Sequence, residues 1–263
     1  MRFTKMEGLG NDYIYLNGLE GLPEDLPALA RRMSDRHFGV GGDGIICICP
    51  SDRADFRMRM FNADGSEGEM CGNGIRCLGK YVYDKGLTHK KELTIETGGG
   101  PRTLELLTEG GLVKAVRVQM GRPQVGAAVE LTAGGRMWQV TPVSMGNPHA
   151  VLFVDRPEEL DLEQLGPCFE HHAAFPGGVN TEFVRCVSPD RLVMRVWERG
   201  SGETLACGTG ACAALAAAVV QGKCGRQAHV ALPGGVLELS WPAGEEMMMT
   251  GPANTVFEGE YPV

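Results

Sequence analysis

One cysteine motif occurs twice in this chain at a fixed spacing. Cys71 is followed by Gly-Asn-Gly and Cys207 by Gly-Thr-Gly, and 207 minus 71 is 136 residues. The same offset relates two further pairs of landmarks, Gly10-Asn11 with Gly146-Asn147 and Gly41-Gly42 with Gly177-Gly178. Three separate landmarks at one offset indicate a duplicated unit. We therefore expect two similar halves that face each other, with one thiol on each side of a cleft.

The duplication also predicts where the chain divides. We expect an N-terminal half over residues 1–117 and a C-terminal half over residues 118–252, and we expect the tail, residues 253–263, to pack on the N-terminal half. A chain of 263 residues is long enough for two ordinary domains. The segment 121–136 contains Gly and Pro and is predicted to be a connecting loop with a strand.

The local patterns predict many strands and few helices. Strands are indicated by short runs rich in β-branched or aromatic residues, such as residues 13–16, 45–48, 56–61, 93–97, 113–120, 150–154, 183–187 and 192–197. Helices are predicted over residues 26–36, 75–84, 160–165 and 211–221. Residues 211–220 are apolar on every face, which is typical of a helix buried on all sides. The predicted class is α+β, with two pseudo-symmetric halves that each wrap a β-sheet around a central helix.

Composition excludes several classes of function. The net charge of −8 and the pI of about 5.3 give no electrostatic footprint for nucleic acid. The longest apolar stretch is too short to span a bilayer, and the charged N-terminus lacks the apolar core of a signal peptide. The nine cysteines, an odd number, indicate reduced thiols rather than a disulfide framework. We therefore expect a cytoplasmic protein without a nucleic-acid or membrane partner.

Each repeated cysteine precedes Gly-x-Gly and a predicted helix. The N–H groups at the start of a helix bind an anion such as a carboxylate, and the helix dipole favours thiolate over thiol. The alternative is that Cys71 and Cys207 are buried core residues, which is the commoner fate of a lone cysteine. Their symmetric placement in Gly-rich turns favours the chemical interpretation. Two opposed acid/base groups are what a reaction that inverts a carbon centre needs.

Several polar residues are candidates for the walls of the cleft. Four asparagines lie at turns beside strand-like runs, namely Asn11, Asn62, Asn147 and Asn180, and each alone is better explained by backbone geometry. Glu198 matches Asn62 at the offset of 136. Arg199 is able to bind a carboxylate through two hydrogen bonds. The alternative is that Glu198 and Arg199 form a surface ion pair of little consequence. His149 is expected to tune the thiols, although a lone histidine is more often an ordinary hydrogen-bonded residue. Cys168 with His171 and His172 is expected to be an exposed loop rather than a metal site.

Together these segments resemble the diaminopimelate epimerase family over nearly the whole chain. The matching segments are residues 8–13, 61–66, 70–77, 146–150, 179–183, 198–200 and 206–212. Proline racemases share the Cys-Gly-x-Gly theme, but Cys-Gly-Asn-Gly-Ile-Arg-Cys at residues 71–77 together with Glu198-Arg199 fits the epimerases better.

The resemblance implies an activity that needs no PLP, other cofactor or metal, with a small-molecule substrate and a homodimeric assembly. It implies that LL-diaminopimelate is converted to the meso form for lysine and peptidoglycan synthesis. Cys71 and Cys207 map to the catalytic cysteines. The implied contacts to the reacting carboxylate are Gly72, Asn73, Gly208 and Thr209. Those around the other end of the substrate are Asn62, Asn147, Asn180 and Arg199, with Glu198 and Asn11 nearby, and His149 and Glu198 tune the thiols.

One position departs from the family pattern, and three alternative functions are open. Many family members have Gln where this chain has Gly44, so the contact made by that Gln is missing or is supplied otherwise. The alternatives are a two-thiol racemase for other amino acids, a cysteine hydrolase or thiol oxidoreductase, and a duplicated binding module. Residues 198 and 199 and the substrate profile distinguish a two-thiol racemase for other amino acids from a diaminopimelate epimerase. The second needs a His-assisted single nucleophile or a Cys-x-x-Cys, and the third is disfavoured because both cysteines are present.

Overall fold

The computed structural model describes residues 1–262. The chain forms two compact units, one made of residues 1–119 with residues 250–262 and the other of residues 120–249. No helix among the described residues has the length and apolar character needed to cross a membrane.

Residues 1–262 form nineteen strands, four α-helices and one short 3₁₀ helix. The first part contains β1 (Arg2–Gly8), β2 (Asn11–Asn17), α1 (Leu26–Ser34), β3 (Gly44–Cys49), β4 (Phe56–Asn62), β5 (Glu67–Gly68), α2 (Gly72–Asp84), β6 (Glu92–Glu96), β7 (Arg102–Glu109) and β8 (Leu112–Gly121). There follow β9 (Gln124–Val125), β10 (Val129–Ala133), β11 (Arg136–Ser144), β12 (Pro148–Phe153), the 3₁₀ helix (Pro157–Glu159), α3 (Leu162–Glu170), β13 (Asn180–Ser188), β14 (Arg191–Glu198), β15 (Gly202–Thr204), α4 (Gly208–Val220), β16 (Gln227–Leu232), β17 (Gly235–Ser240), β18 (Met247–Pro252) and β19 (Asn254–Glu260).

In the first unit the strands pair in the order β19, β1, β2, β3, β4, β6, β7 and β8, with β5 also beside β4. The pairs β2/β3 and β4/β6 are parallel, and the others are antiparallel. Helix α2 packs against several of these strands and is buried over most of its length. The tail strand β19 pairs with β1, from Arg2 opposite Glu260 to Glu7 opposite Asn254.

In the second unit β9 and β10 both pair with β11, which is followed by β12, β13, β14, β16 and β17. The pairs β12/β13 and β14/β16 are parallel, as β2/β3 and β4/β6 are in the first unit. Helix α4 is buried from Ala211 to Ala218 and packs against these strands. The expectation of a helix buried on all sides is confirmed for residues 211–218, where the small side chains allow the strands to approach closely, but Val220 at the end of the helix is exposed.

The duplication is confirmed in the secondary structure. Helix α2 begins at residue 72 and α4 at residue 208, and α1 begins at residue 26 and α3 at residue 162, so both differences are 136. The ends of these helices, at residues 84 and 220 and at residues 34 and 170, repeat with the same offset. The α+β class, with a β-sheet packed around a helix in each half, is therefore also confirmed.

Three local predictions were wrong. Helices α2 and α4 begin three residues earlier than predicted, because Gly-x-Gly lies inside the first turn, where the cysteine sulfur caps the helix. Helix α3 continues past Pro167 to Glu170, because Phe169 is fully buried and anchors the last turn; Cys168 therefore lies on a helix, not in a loop. The segment 121–136 contains β9 and β10 rather than a loop with one strand.

Candidate active site

Cys71 is the N-cap residue of α2. Its backbone is extended, with φ −126° and ψ 119°, and its sulfur accepts a hydrogen bond from the Gly74 amide at 3.3 Å. Gly74 is closely packed, because a Cβ there would lie 2.5 Å from Ile46 Cδ1 and would displace that side chain. The first turn of α2 contains Gly72 and Asn73, and first-turn amides are the groups with which a helix binds an anion.

Cys207 occupies the same position on α4. Its φ of −120° and ψ of 112° match those of the first cysteine, and its sulfur accepts from the Gly210 amide at 3.3 Å. A Cβ at Gly210 would lie 2.6 Å from Glu182 Oε1, so this glycine also provides room for a close neighbour. The first turn here contains Gly208 and Thr209. The two motifs therefore build the same local structure, a thiol beside a helix N-terminus.

Burial is the largest influence on the pKa of Cys207. Removal from water raises the pKa of this thiol well above its usual value, and the negative charges of Glu198 and Glu182 add to the effect. Hydrogen bonds from Thr209 and the Gly210 amide favour the thiolate but are the smaller influence. The helix N-terminus alone favours the thiolate, and at Cys207 this influence is opposed by the surroundings of the sulfur. Burial and two carboxylates outweigh the helix dipole.

Asn11 lies directly beside Cys71. The thiol donates to Asn11 Oδ1 at 3.1 Å, and the amide nitrogen of Asn11 donates to Asp43 Oδ2 at 2.7 Å. An ionised carboxylate only accepts hydrogen bonds, so Asp43 sets which end of the Asn11 amide faces the thiol. Burial raises the pKa of Asp43, and the charge of Asp12 acts in the same direction. Asp43 also accepts from Arg36 at 3.0 Å, which holds the carboxylate in place.

A chain of hydrogen bonds extends from Cys207 to a buried His149–Glu182 pair. Thr209 Oγ1 lies 3.5 Å from the Cys207 sulfur and accepts from the Asn147 amide at 3.3 Å. The Asn147 oxygen lies 3.1 Å from His149 Nε2, and His149 Nδ1 lies 2.6 Å from Glu182 Oε1. The side chains of His149 and Glu182 are both fully buried. His149 therefore reaches this thiol through Asn147 and Thr209 rather than by contact.

Glu198 is the second carboxylate near Cys207. It accepts a hydrogen bond from Thr204 Oγ1 at 2.5 Å and another from the Cys207 thiol. Burial raises the pKa of Glu198, although both hydrogen bonds act in the opposite direction. Glu198 therefore contacts the Cys207 thiol directly, and its charge contributes to the raised pKa of that thiol.

Asn180 and Arg199 are joined in the same unit. Asn180 Oδ1 accepts from the Arg199 backbone amide at 3.0 Å, and the Asn180 amide donates to the Pro148 carbonyl at 3.1 Å. The guanidinium of Arg199 donates to the Gly177 carbonyl at 2.9 Å. Arg199 therefore has partners different from those of Glu198, its neighbour in the chain.

Asn62 and Gly44 lie opposite each other on β4 and β3. The Asn62 side chain donates to Ser66 Oγ at 3.0 Å, within the turn that follows the strand. Gly44 is closely packed, because a Cβ there would overlap the carbonyl oxygen of Phe61. A larger residue at Gly44 therefore requires that β3 and β4 move apart.

The structure assembles the predicted residues in two groups. Asn11, Asn62, Gly72 and Asn73 lie in the unit of Cys71, and Asn147, His149, Asn180, Glu198, Arg199, Gly208 and Thr209 lie in the unit of Cys207. Asp43 and Glu182 were not among the predicted residues, yet they orient Asn11 and His149. The available signal for Glu182 was a charged residue directly before the strand-like run over residues 183–187. Among residues 1–262, no group of three or more His, Cys, Asp or Glu side chains is placed to hold a metal ion.

The chain is similar to known proteins both in fold and in sequence. A probable proline racemase from Agrobacterium radiobacter superposes with a TM-score of 0.74 at 16% identity, and covers 100% of this chain and 93% of its own. A PhzF-family phenazine biosynthesis protein from Bacillus anthracis gives 0.76 at 17% identity, with coverages of 100% and 99%. These likenesses define the fold class, that of the proline racemase and PhzF proteins.

Sequence similarity is much higher within one family. The profile of the family described as diaminopimelate epimerase matches residues 3–126 and 141–256. The diaminopimelate epimerase of Desulfovibrio desulfuricans is 50% identical over 281 residues, covering 99% of this chain and 98% of that protein. The one from Methanococcus maripaludis is 51% identical over 274 residues, covering 99% of each. The chain belongs to the diaminopimelate epimerase family and is an isomerase, as its sequence predicted.

Proposed function

We propose that this chain interconverts LL-2,6-diaminopimelate and meso-diaminopimelate in the synthesis of lysine and peptidoglycan precursors. The observation that carries the proposal is the pair of N-cap thiols, Cys71 on α2 and Cys207 on α4. Each sulfur accepts a hydrogen bond from the backbone amide of the glycine three residues later in the chain. Membership of the diaminopimelate epimerase family supports the identity of the substrate.

In the proposed mechanism the two thiols act on one α-carbon. One sulfur starts as a thiolate and takes the α-proton, and the other starts as a thiol and delivers a proton to the opposite face. In the reverse direction the two roles are exchanged. Cys207 fits the role of proton donor when substrate enters, because burial and two carboxylates raise its pKa.

The helix N-termini make removal of the proton feasible. An α-proton is far less acidic than a thiol, and the proposed reaction uses no PLP to spread the negative charge. The amides of Gly72, Asn73, Gly208 and Thr209 bind the carboxylate, and they stabilise the charge that develops on it in the transition state. This electrostatic stabilisation is worth most where water is excluded.

The remaining site residues are proposed to hold the substrate or to tune the thiols. Asn62, Asn147, Asn180 and Arg199 bind the non-reacting end, with Asn11 and Glu198 beside it. Glu198 acts on Cys207 directly and His149 acts on it through Asn147 and Thr209, which supports a tuning role for both. We further propose catalytic halves over residues 1–117 and 118–252, a homodimer, and a location in the cytoplasm.

The test is conversion of LL-diaminopimelate by purified, reduced protein without added PLP, followed by chiral chromatography. The meso isomer should accumulate to equilibrium, and proline should remain unchanged. Racemisation of proline but not of diaminopimelate would overturn the substrate and retain the reaction class.

Single cysteine variants test the residues. Cys71→Ser and Cys207→Ser should each lower the rate by about 10²–10⁴-fold, the range for loss of a general acid or base. Cys224→Ser is the matched control, because this thiol bonds to the Pro189 carbonyl outside the proposed site, and it should retain full activity. Normal turnover by either Cys71→Ser or Cys207→Ser would refute the two-thiol scheme.

A further inference from the structure

The turn that carries Arg199 is bound to the end of helix α3 by one carboxylate. Glu170 is the last residue of α3, and its Oε1 accepts a hydrogen bond from the Gly200 amide at 2.8 Å. Its Oε2 accepts from the indole nitrogen of Trp197 at 2.7 Å. The two partners of Glu170 therefore lie on either side of Glu198 and Arg199 in the sequence.

Further contacts hold the same turn. The Arg199 amide donates to Asn180 Oδ1 at 3.0 Å, and its guanidinium donates to the Gly177 carbonyl at 2.9 Å. Gly178 has a φ of +74°, and a Cβ there would lie 2.8 Å from Arg199 Cδ. The side chain of Arg199 is thus directed along the segment that joins α3 to β13.

Only an ionised carboxylate satisfies both donors on this turn. The Gly200 amide and the Trp197 indole each donate a hydrogen, and a carboxylate offers an acceptor oxygen to each. A glutamine has one acceptor oxygen, so its amide group would face one of the two N–H donors. Hydrogen bonds from Trp197 and Gly200 lower the pKa of Glu170 against the opposing effect of burial, and the nearby charges of His171 and Arg199 act in the same direction as these bonds.

We propose that Glu170 is a positioning residue for substrate binding, because it fixes the 198–200 turn and thereby directs Arg199 toward the non-reacting end of the substrate. The inference rests on the proposed function for the role of Arg199 in substrate binding. The connection between Glu170 and the turn rests on the hydrogen bonds alone. Glu170 touches neither thiol in this arrangement, so its effect falls on binding rather than on proton transfer.

The test compares Glu170→Gln with Glu163→Gln, an exposed change on the same helix. Glu170→Gln should raise KM for diaminopimelate about tenfold and leave kcat within about twofold, because a turn that has lost a hydrogen bond to a charged group no longer holds Arg199 in place, and such a bond is worth about this factor. Glu163→Gln should change neither constant. An unchanged KM, or a fall in kcat alone, would overturn the positioning role.

Two further measurements keep the proposal testable when activity is uninformative. Hydrogen exchange of the Gly200 amide should be faster in Glu170→Gln than in Glu163→Gln, and the indole N–H resonance of Trp197 should shift. Equal exchange rates and an unshifted indole would overturn the inference, whether or not the protein acts on diaminopimelate. Should Glu170→Gln fail to fold, Trp197→Phe removes one of the two donors and should raise KM in the same direction, with an unchanged KM again counting against the proposal.

Discussion

The thiol of Cys71 donates a hydrogen bond to Asn11 at 3.1 Å, whereas Asn147, the repeat mate of Asn11, reaches Cys207 only through Thr209. The two halves thus share the N-cap thiol but differ in the groups around it. Asp43 orients the asparagine of the first half, and His149 contacts that of the second. The duplicated motif supplies two similar acid/base groups, and the surrounding side chains make them chemically different.

Replacement of Asp43 tests the orientation of Asn11. Asp43→Asn replaces an acceptor-only group by one that also donates, so the amide of Asn11 is no longer held in one orientation beside Cys71. We expect kcat to fall about tenfold, which matches the loss of one hydrogen bond to a charged group. Asp52→Asn, at an exposed aspartate, is the control and should retain kcat, as measured by proton NMR of the epimerisation. A kcat for Asp43→Asn equal to that of Asp52→Asn would contradict the role of Asp43 in orienting Asn11.

Replacement of Glu198 tests what raises the pKa of Cys207. Glu198→Gln removes a nearby negative charge and a carboxylate that accepts from the thiol, so the pKa of Cys207 should fall, although burial continues to raise it. Alkylation of Cys207, followed by mass spectrometry across pH, should then begin at lower pH than in the original protein. Glu203→Gln is the matched control, because Glu203 is paired with Arg195. An unchanged or higher alkylation midpoint in Glu198→Gln would show that its charge does not govern this thiol.

The close packing of Gly44 predicts an effect on stability. Gly44→Ala forces a Cβ against the carbonyl oxygen of Phe61 and toward the ring of Tyr13, so unfolding in urea should require about 1–3 kcal/mol less. Gly177→Ala is the control, since a Cβ there would have no neighbour within 4 Å. Equal midpoints for the two variants would mean that β3 and β4 separate without cost.

Asp12 predicts how stability depends on acidity. Burial opposes its ionisation, but hydrogen bonds from Arg36 and Lys5 outweigh burial and lower the pKa of Asp12. A depressed carboxyl pKa stabilises the folded state above the unfolded value of about 4, and this contribution is lost as pH falls through the lower folded value. Stability measured by urea unfolding should therefore fall below about pH 4, and less steeply in Asp12→Asn. The same dependence of unfolding free energy on pH in the original protein and in Asp12→Asn would contradict a lowered pKa of Asp12.

The sequence predicted the features that repeat and missed those that depend on tertiary contacts. The offset located Cys71 and Cys207 at equivalent helix starts, because a Gly-rich turn before a helix is a local pattern. It did not reveal that the pKa of Cys207 is raised, since that follows from burial and from the approach of Glu198 on β14 and Glu182 on β13. Glu170 was missed for the same reason. Its partners lie 27 and 30 residues away along the chain.

The central claim is that two different thiols act on one α-carbon, and isotope incorporation tests it most directly. LL-diaminopimelate is incubated in D₂O with the reduced protein, and substrate and product are separated at low conversion. A monoprotic thiol returns the proton it removed, while the other thiol delivers deuterium from solvent. The account predicts deuterium at the inverted carbon of the meso product and none in the recovered LL substrate. Deuterium that enters the recovered substrate as fast as the product would contradict it, as would a product without deuterium.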